Sequence, residues 1–161
     1  DRVWINESLK LITSIVIEAL GGGSECRRED DYHHLFLHMN EIKLKRRSCV
    51  VPIGEMSVGL KFERALLFKC LADVVGIPSR LVRGHYGTAW NEVCLMKWDR
   101  PYCDLPLSRL LPTHVVDLWH NPGRLLPIGQ RECEEYCGPK AAAPFSKRPT
   151  FPDIVNIQGN T

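Results

Sequence analysis

Residues 58–84, VGLKFERALLFKCLADVVGIPSRLVRG, decide how the rest of the chain is read. Placed at 100° per residue, Leu60, Ala65, Leu67, Phe68, Cys70, Leu71, Ala72, Val74 and Val75 cover more than half of one circumference,. Lys69 and Asp73, four apart, mark a narrow wet stripe. A helix apolar over most of its girth is expected to be central and covered on several sides. Gly76 stops it, and Pro78 prevents its resumption. Residues 80–83 then read as a short strand.

Outward from that helix, the chain is one domain's worth of protein. It has 161 residues, 44% apolar and 25% charged, with a formal charge of +2. That suffices for one real core, and the near-neutral total implies no strong field for nucleic acid or membrane. A chain that opens on Asp1 rather than Met is expected to be a fragment of something longer. Residues 11–17 are apolar but interrupted by Thr13 and Ser14, too short and polar for a membrane span or signal peptide. Seven cysteines (26, 49, 70, 94, 103, 133 and 137) include no CxxC pair, which favours a reducing setting over a disulfide framework,.

Residues 3–20 predict a first helix, with Ile5, Leu9, Ile12, Val16 and Ala19 on one face. Gly21, Gly22 and Gly23 end it at a position that needs positive φ. The run 21–24, GGGS, also fits an engineered linker; both readings stay open. A second helix is expected over 30–40. Residues 42–53 alternate at first and read in part as strand. Further strands are expected over 89–97 and 113–119, with a turn at 98–101 and an irregular excursion over 105–112. The four prolines beyond 138 mark 131–161 as a C-terminal tail packed over the surface or partly disordered, leaving 1–130 as the domain,. Helices first, then antiparallel strands, predict an α+β fold.

Four motifs together carry a resemblance: P-x-G-x3-V-G-L at 52–60, R-A-L-L-F-K-x-L-A-D at 64–73, G-I-P-x-R-L-V-x-G at 76–84 and V-D-L-x3-P-G at 116–123. Within residues 51–127 the chain resembles the regulatory domain ahead of the kinase in plant Raf-like kinases of the ethylene-response and disease-resistance type. The same domain type occurs at the C-terminus of an animal armadillo-repeat protein. That is the nearer resemblance, because residues 61–63 depart from the plant pattern. The resemblance implies a degenerate papain-like/transglutaminase-like fold, a central helix on a small antiparallel sheet.

In active enzymes of that architecture a cysteine at the N-terminus of the central helix is activated by a histidine on the next strand, and an aspartate orients the histidine. A thiolate needs a helix N-terminus and an imidazole to depress its pKa. By resemblance the nucleophile position is Lys61. The histidine position is Thr88, ahead of Ala89-Trp90-Asn91-Glu92, which looks like a His-Ala-Trp-x-Glu strand. The aspartate is Asp117. The site then lacks the Cys and His of its triad, which implies a pseudoenzyme without cofactor. Lys61 as a Schiff-base nucleophile lacks an evident general base; a helix-edge lysine neutralising Asp117 is the simpler reading. Asp117 or Asp73 is expected to pair with Arg64, and Gly76, Pro78, Pro122 and Gly123 to shape the turns.

The alternative is a cysteine-dependent acyl-transfer enzyme (peptidase, deamidase or transglutaminase) with a relocated nucleophile, Cys94 or Cys70 with His85 or His114. Packing in the core is the simpler reading of both thiols. His34 and His38, four apart near His33 and Cys26, have zinc-compatible spacing but no committed third ligand. Cys133-x3-Cys137 is weaker still. Lys43, Lys45, Arg46 and Arg47 suit anionic lipid or RNA, against a simpler reading as a solvated face. The leading expectation is a non-catalytic protein-interaction or regulatory module, partnered through a parent scaffold such as armadillo repeats, in a cytoplasmic or ciliary assembly, without DNA or a membrane span.

Overall fold

A computed structural model describes residues 2–22, 31–85, 87–95 and 111–138. The expected turn at 98–101, the excursion over 105–110, Cys26, Cys103 and the tail from 139 onward lie outside the described residues.

Helix α1, Arg2–Ala19, buries Ile5, Leu9, Ile12 and Val16, and Leu20, just past its end, is buried with them. Leu20 takes the place expected for Ala19, which is exposed. Helix α3, Lys61–Val75, lies between α1 and the sheet. It buries Arg64, Ala65, Phe68 and Ala72. It is central, as its sequence predicts, but one side stays open: Val74 is 85% exposed and Cys70 is exposed, which corrects their expected place in the core. Apolar girth alone does not say which side a neighbour will cover. Gly76 closes the helix at φ 79°, with Ile77 N–H donating to Ala72 O (2.8 Å) and Gly76 N–H to Asp73 O (3.2 Å). This is a Schellman closure, and the buried Ile77 supplies its apolar contact,.

The four strands form one antiparallel sheet in sequence order: β1 Ser79–Arg83, β2 Ala89–Val93, β3 His114–Val116 and β4 Leu125–Pro127. In β2, Ala89, Asn91 and Val93 are buried, as period-two alternation requires of a face turned toward α3,. The opposite face carries a second, smaller core of Val115, Leu126, Cys133 and Tyr136, with Trp90 and Trp119 packed against it. At the β1–β2 hairpin a Cβ on Gly84 would lie 2.3 Å from Thr88 Oγ1 and 2.7 Å from the Trp90 ring, so the R-G-x3-T-A-W spacing needs its glycine.

Two expectations are corrected. The strand expected within 42–53 is absent; helix α2 runs Asp31–Arg46 and a single 3₁₀ turn occupies Ile53–Glu55. Leu35, Met39 and Ile42 recur at four and three residues, a helical stripe that continues through the basic run. The cations Lys43, Lys45 and Arg46 sit in the last turn, where the helix dipole favours them,. The first part of the expected tail is a further helix, α4 Arg131–Cys137, whose Cys133 and Tyr136 complete the second core.

Candidate functional site

Lys61 and Asp117 lie where the N-terminus of α3, the connection after β3 and helix α4 meet. Lys61 is the first residue of α3 and half-buried. Its first turn has no polar N-cap side chain; Glu63 Oε2 instead accepts the Leu60 N–H (2.9 Å). The Lys61 ammonium lies 5.6 Å from the centre of the Tyr136 ring. A buried aromatic face is a cation's partner, so the amine is directed onto α4.

Asp117 is 3% exposed, and its carboxylate organises the turn into β4. Oδ1 accepts the N–H of Trp119 (2.8 Å) and His120 (2.9 Å), and Oδ2 that of Asn121 (2.9 Å). Pro122 and Gly123 follow, and Gly123 N–H donates to Asp117 O (2.9 Å). Of the two carboxylates expected to pair with Arg64, Asp117 accepts from these amides. Asp73 pairs with Lys69 on the open side of α3. The Arg64 guanidinium donates to three carbonyls, Gly59 (3.2 Å), Leu118 (3.2 Å) and Gly22 (2.8 Å), and lies 4.6 Å from the Trp119 ring centre. A planar, delocalised fork with several N–H donors reaches diverging carbonyls that a single ammonium would not. Arg64 thereby joins the end of α1, the approach to α3 and the β3–β4 connection.

Thr88 closes the β1–β2 hairpin. Its hydroxyl donates to His85 O (2.7 Å) and its amide to the same carbonyl (3.0 Å). Lys61 and Asp117 are gathered around Tyr136, a residue that the sequence reading passes over. The Tyr136 hydroxyl accepts the Leu118 N–H (3.0 Å), and its ring meets His120 edge-on at 5.8 Å. Burial, with Asp117 adding to it, pushes the phenol pKa well upward against the opposing Leu118 hydrogen bond and Arg64. Burial, then the adjacent Cys133, pushes the Cys137 thiol up to about 12, with Glu92 adding and Lys61 opposing. The one signal for this helix in the sequence is the spacing of Cys133, Tyr136 and Cys137 at three and four.

Of the alternative pairs, Cys94 follows Val93, which is the register partner of His114. Cys94 is buried just past β2, and Cys70 is exposed on α3. His85 is exposed in the hairpin turn; His114 is on β3 with Nδ1 2.9 Å from Thr113 Oγ1. His34 and His38 share α2, and His38 Nε2 accepts the Ser57 N–H (3.0 Å). Among the described residues no three side chains form a metal-binding cluster.

An α+β fold with a central helix on an antiparallel sheet is consistent with a papain-like, peptidase-like domain. The chain belongs to the family described as EDR1/CTR1/ARMC3, peptidase-like, whose model matches residues 3–126. It is 39% identical to human Armadillo repeat-containing protein 3 over 134 residues, 82% of this chain and 15% of that protein. It is 38% identical to Probable serine/threonine-protein kinase SIS8 of Arabidopsis thaliana over 128 residues, 77% of this chain and 11% of the kinase. It is 40% identical to Serine/threonine-protein kinase CTR1 of the same plant over 80 residues, 47% of this chain and 8% of the kinase. The chain thus spans 15% or less of each of these relatives. No solved structure matches it. Among the described residues no helix is long and apolar enough to cross a membrane.

Proposed function

We propose that the domain is a non-catalytic protein-interaction and regulatory module of a larger cytoplasmic scaffold protein, with a ciliary assembly as its setting. The observation that carries the reading is what engages two side chains. Lys61, which the resemblance places at the nucleophile position, lies over a buried tyrosine ring, while the Asp117 carboxylate is engaged by three backbone amides. A group committed to holding a turn is poorly placed to orient an imidazole. The family supports the modular half of the reading, because its members join this domain to an armadillo-repeat protein and to protein kinases.

Thiol reactivity separates this reading from the acyl-transfer alternative. A cysteine-hydrolase activity probe at neutral pH labels Cys70 and Cys94 no faster than the exposed Cys49 in the same molecule. Rapid single-site labelling of Cys94 or Cys70, suppressed in a His114→Ala or His85→Ala variant, overturns the proposal. Affinity purification of the parent protein with and without this domain identifies the partner.

A further inference from the structure

Helix α2 is ordered at the surface with little of itself buried. Only Leu35 and Ile42 are buried, Met39 packs partly, and His38 accepts the Ser57 amide. The outward face carries large apolar side chains, with His33 and Asn40 among them: Tyr32 is 67% exposed, Phe36 62%, Leu37 51% and Leu44 79%, and Val50 in the following turn 70%. At 100° per residue these four helical side chains fall within an arc of about 140°. Lys43 lies inside that arc, between Tyr32 and Phe36. Arg46 lies about 40° and Lys45 about 80° beyond its two borders, and Arg47 follows the last turn,. Arg46 is paired with Glu55, and Glu41 is the one acidic residue near the arc. Lys43, Lys45 and Arg47 form no ion pair among the described residues.

We propose that α2 and the turn after it form a docking face for an anionic membrane surface. Aromatic and aliphatic side chains would sit at the boundary of headgroups and acyl chains, and the lysines and arginine would meet phosphate and carboxylate headgroups. Exposed Phe, Tyr and Leu with cations beside them suit a segment that rests in the interface without spanning it. Charge complementarity selects an anionic surface, where each cation adds attraction that salt screens. RNA would use the charges and the two aromatic rings but has no use for Leu37, Leu44 and Val50. The proposal is independent of what the Lys61 cleft does.

Flotation of the chain with vesicles tests it. The chain is expected to rise with phosphatidylcholine vesicles that contain phosphatidylserine, to stay behind with phosphatidylcholine alone, and to be released by salt. Lys43→Gln, Lys45→Gln and Arg47→Gln together weaken binding by roughly fivefold per charge at low salt. The pair Phe36→Gln and Leu44→Gln, at exposed positions that leave the core intact, abolishes flotation, while Phe36→Leu with Leu44→Met retains it. Equal partition into both vesicles, or none into either, overturns the proposal. So does tight binding of a mixed-sequence single-stranded RNA that the double Gln variant leaves unchanged while flotation fails.

Discussion

Arg64 is 3% exposed, and three carbonyl oxygens accept from its guanidinium. Each of those carbonyls belongs to a different segment, so the loss on truncation is shared by three elements. Arg64→Lys keeps the charge but supplies one point donor for three diverging acceptors and forfeits the stacking on Trp119. It is expected to lose about 2 kcal/mol in urea unfolding, and Arg64→Ala more than about 3 kcal/mol. A lysine variant that unfolds like the parent would remove the three-way role. Asp117 is tested by a smaller change. Asn offers one acceptor oxygen where the carboxylate uses two, and its amide would set N–H against N–H. Asp117→Asn is therefore expected to lower the unfolding free energy by about 2–3 kcal/mol. An aspartate whose task was to orient an imidazole would leave the thermal midpoint unchanged when so replaced.

Helix α2 ends on a residue that does not suit its backbone. Arg47 has φ 51°, the one non-glycine among the described residues with positive φ. Ser48 N–H donates to Lys43 O (3.1 Å) and Arg47 N–H to Leu44 O (3.2 Å), the same closure that Gly76 makes on α3,. Arg47→Gly relieves the left-handed strain and is expected to raise the thermal midpoint, by about 1 kcal/mol of stability at most. A lowered midpoint would mean that the Arg47 side chain makes a contribution larger than its strain. The two helix ends also show what the sequence discloses. Gly76 announces the end of α3, and the helix, β1 and the core of β2 and β3 are read from periodicity and breakers within a residue or a few. The end of α2 carries no glycine, so an alternating stretch of apolar and basic residues reads as strand until Leu35, Met39 and Ile42 are placed on one stripe. β4 is three residues long and ends on Pro127, too short for a period to register. At the site the positions of Lys61, Thr88 and Asp117 follow from motif resemblance, but their partners do not. Which backbone amide reaches Asp117, and which ring lies over Lys61, depends on how separate elements meet.

At the scale of the whole molecule, the sheet has a core on each face, and α4 makes the outer one. Short as it is, α4 brings Tyr136 between Lys61 and the Asp117 turn and sets Cys137 beside Glu92, so its docking is linked to the protonation of two acids. Both are neutral when protonated, and burial raises both folded-state pKa values above their unfolded ones,. For Cys137 the folded value is about 12 against an ordinary value of 9.0. Above pH 9 the unfolded chain has released a proton that the folded chain still holds, so stability falls as pH rises. The contribution is whole below pH 9 and is lost progressively as pH approaches about 12. Tyr136 acts with the same sign, starting from its ordinary value of 10.0. Docking of α4 is therefore expected to be insensitive to pH through the neutral range and to fail in alkali before the main core does. Iodoacetamide labelling of Cys137, resolved by peptide mapping across pH 7 to 12, follows the thiol; tyrosinate absorbance follows the phenol. Tyr136→Phe retains the ring under Lys61 but removes the acceptor for Leu118 N–H and one of the two titrating groups. It is expected to dock α4 less tightly at neutral pH and to lose it over a shallower alkaline transition. Labelling of Cys137 in the parent that tracks the profile of an ordinary thiol would show that α4 does not cover the cleft in solution.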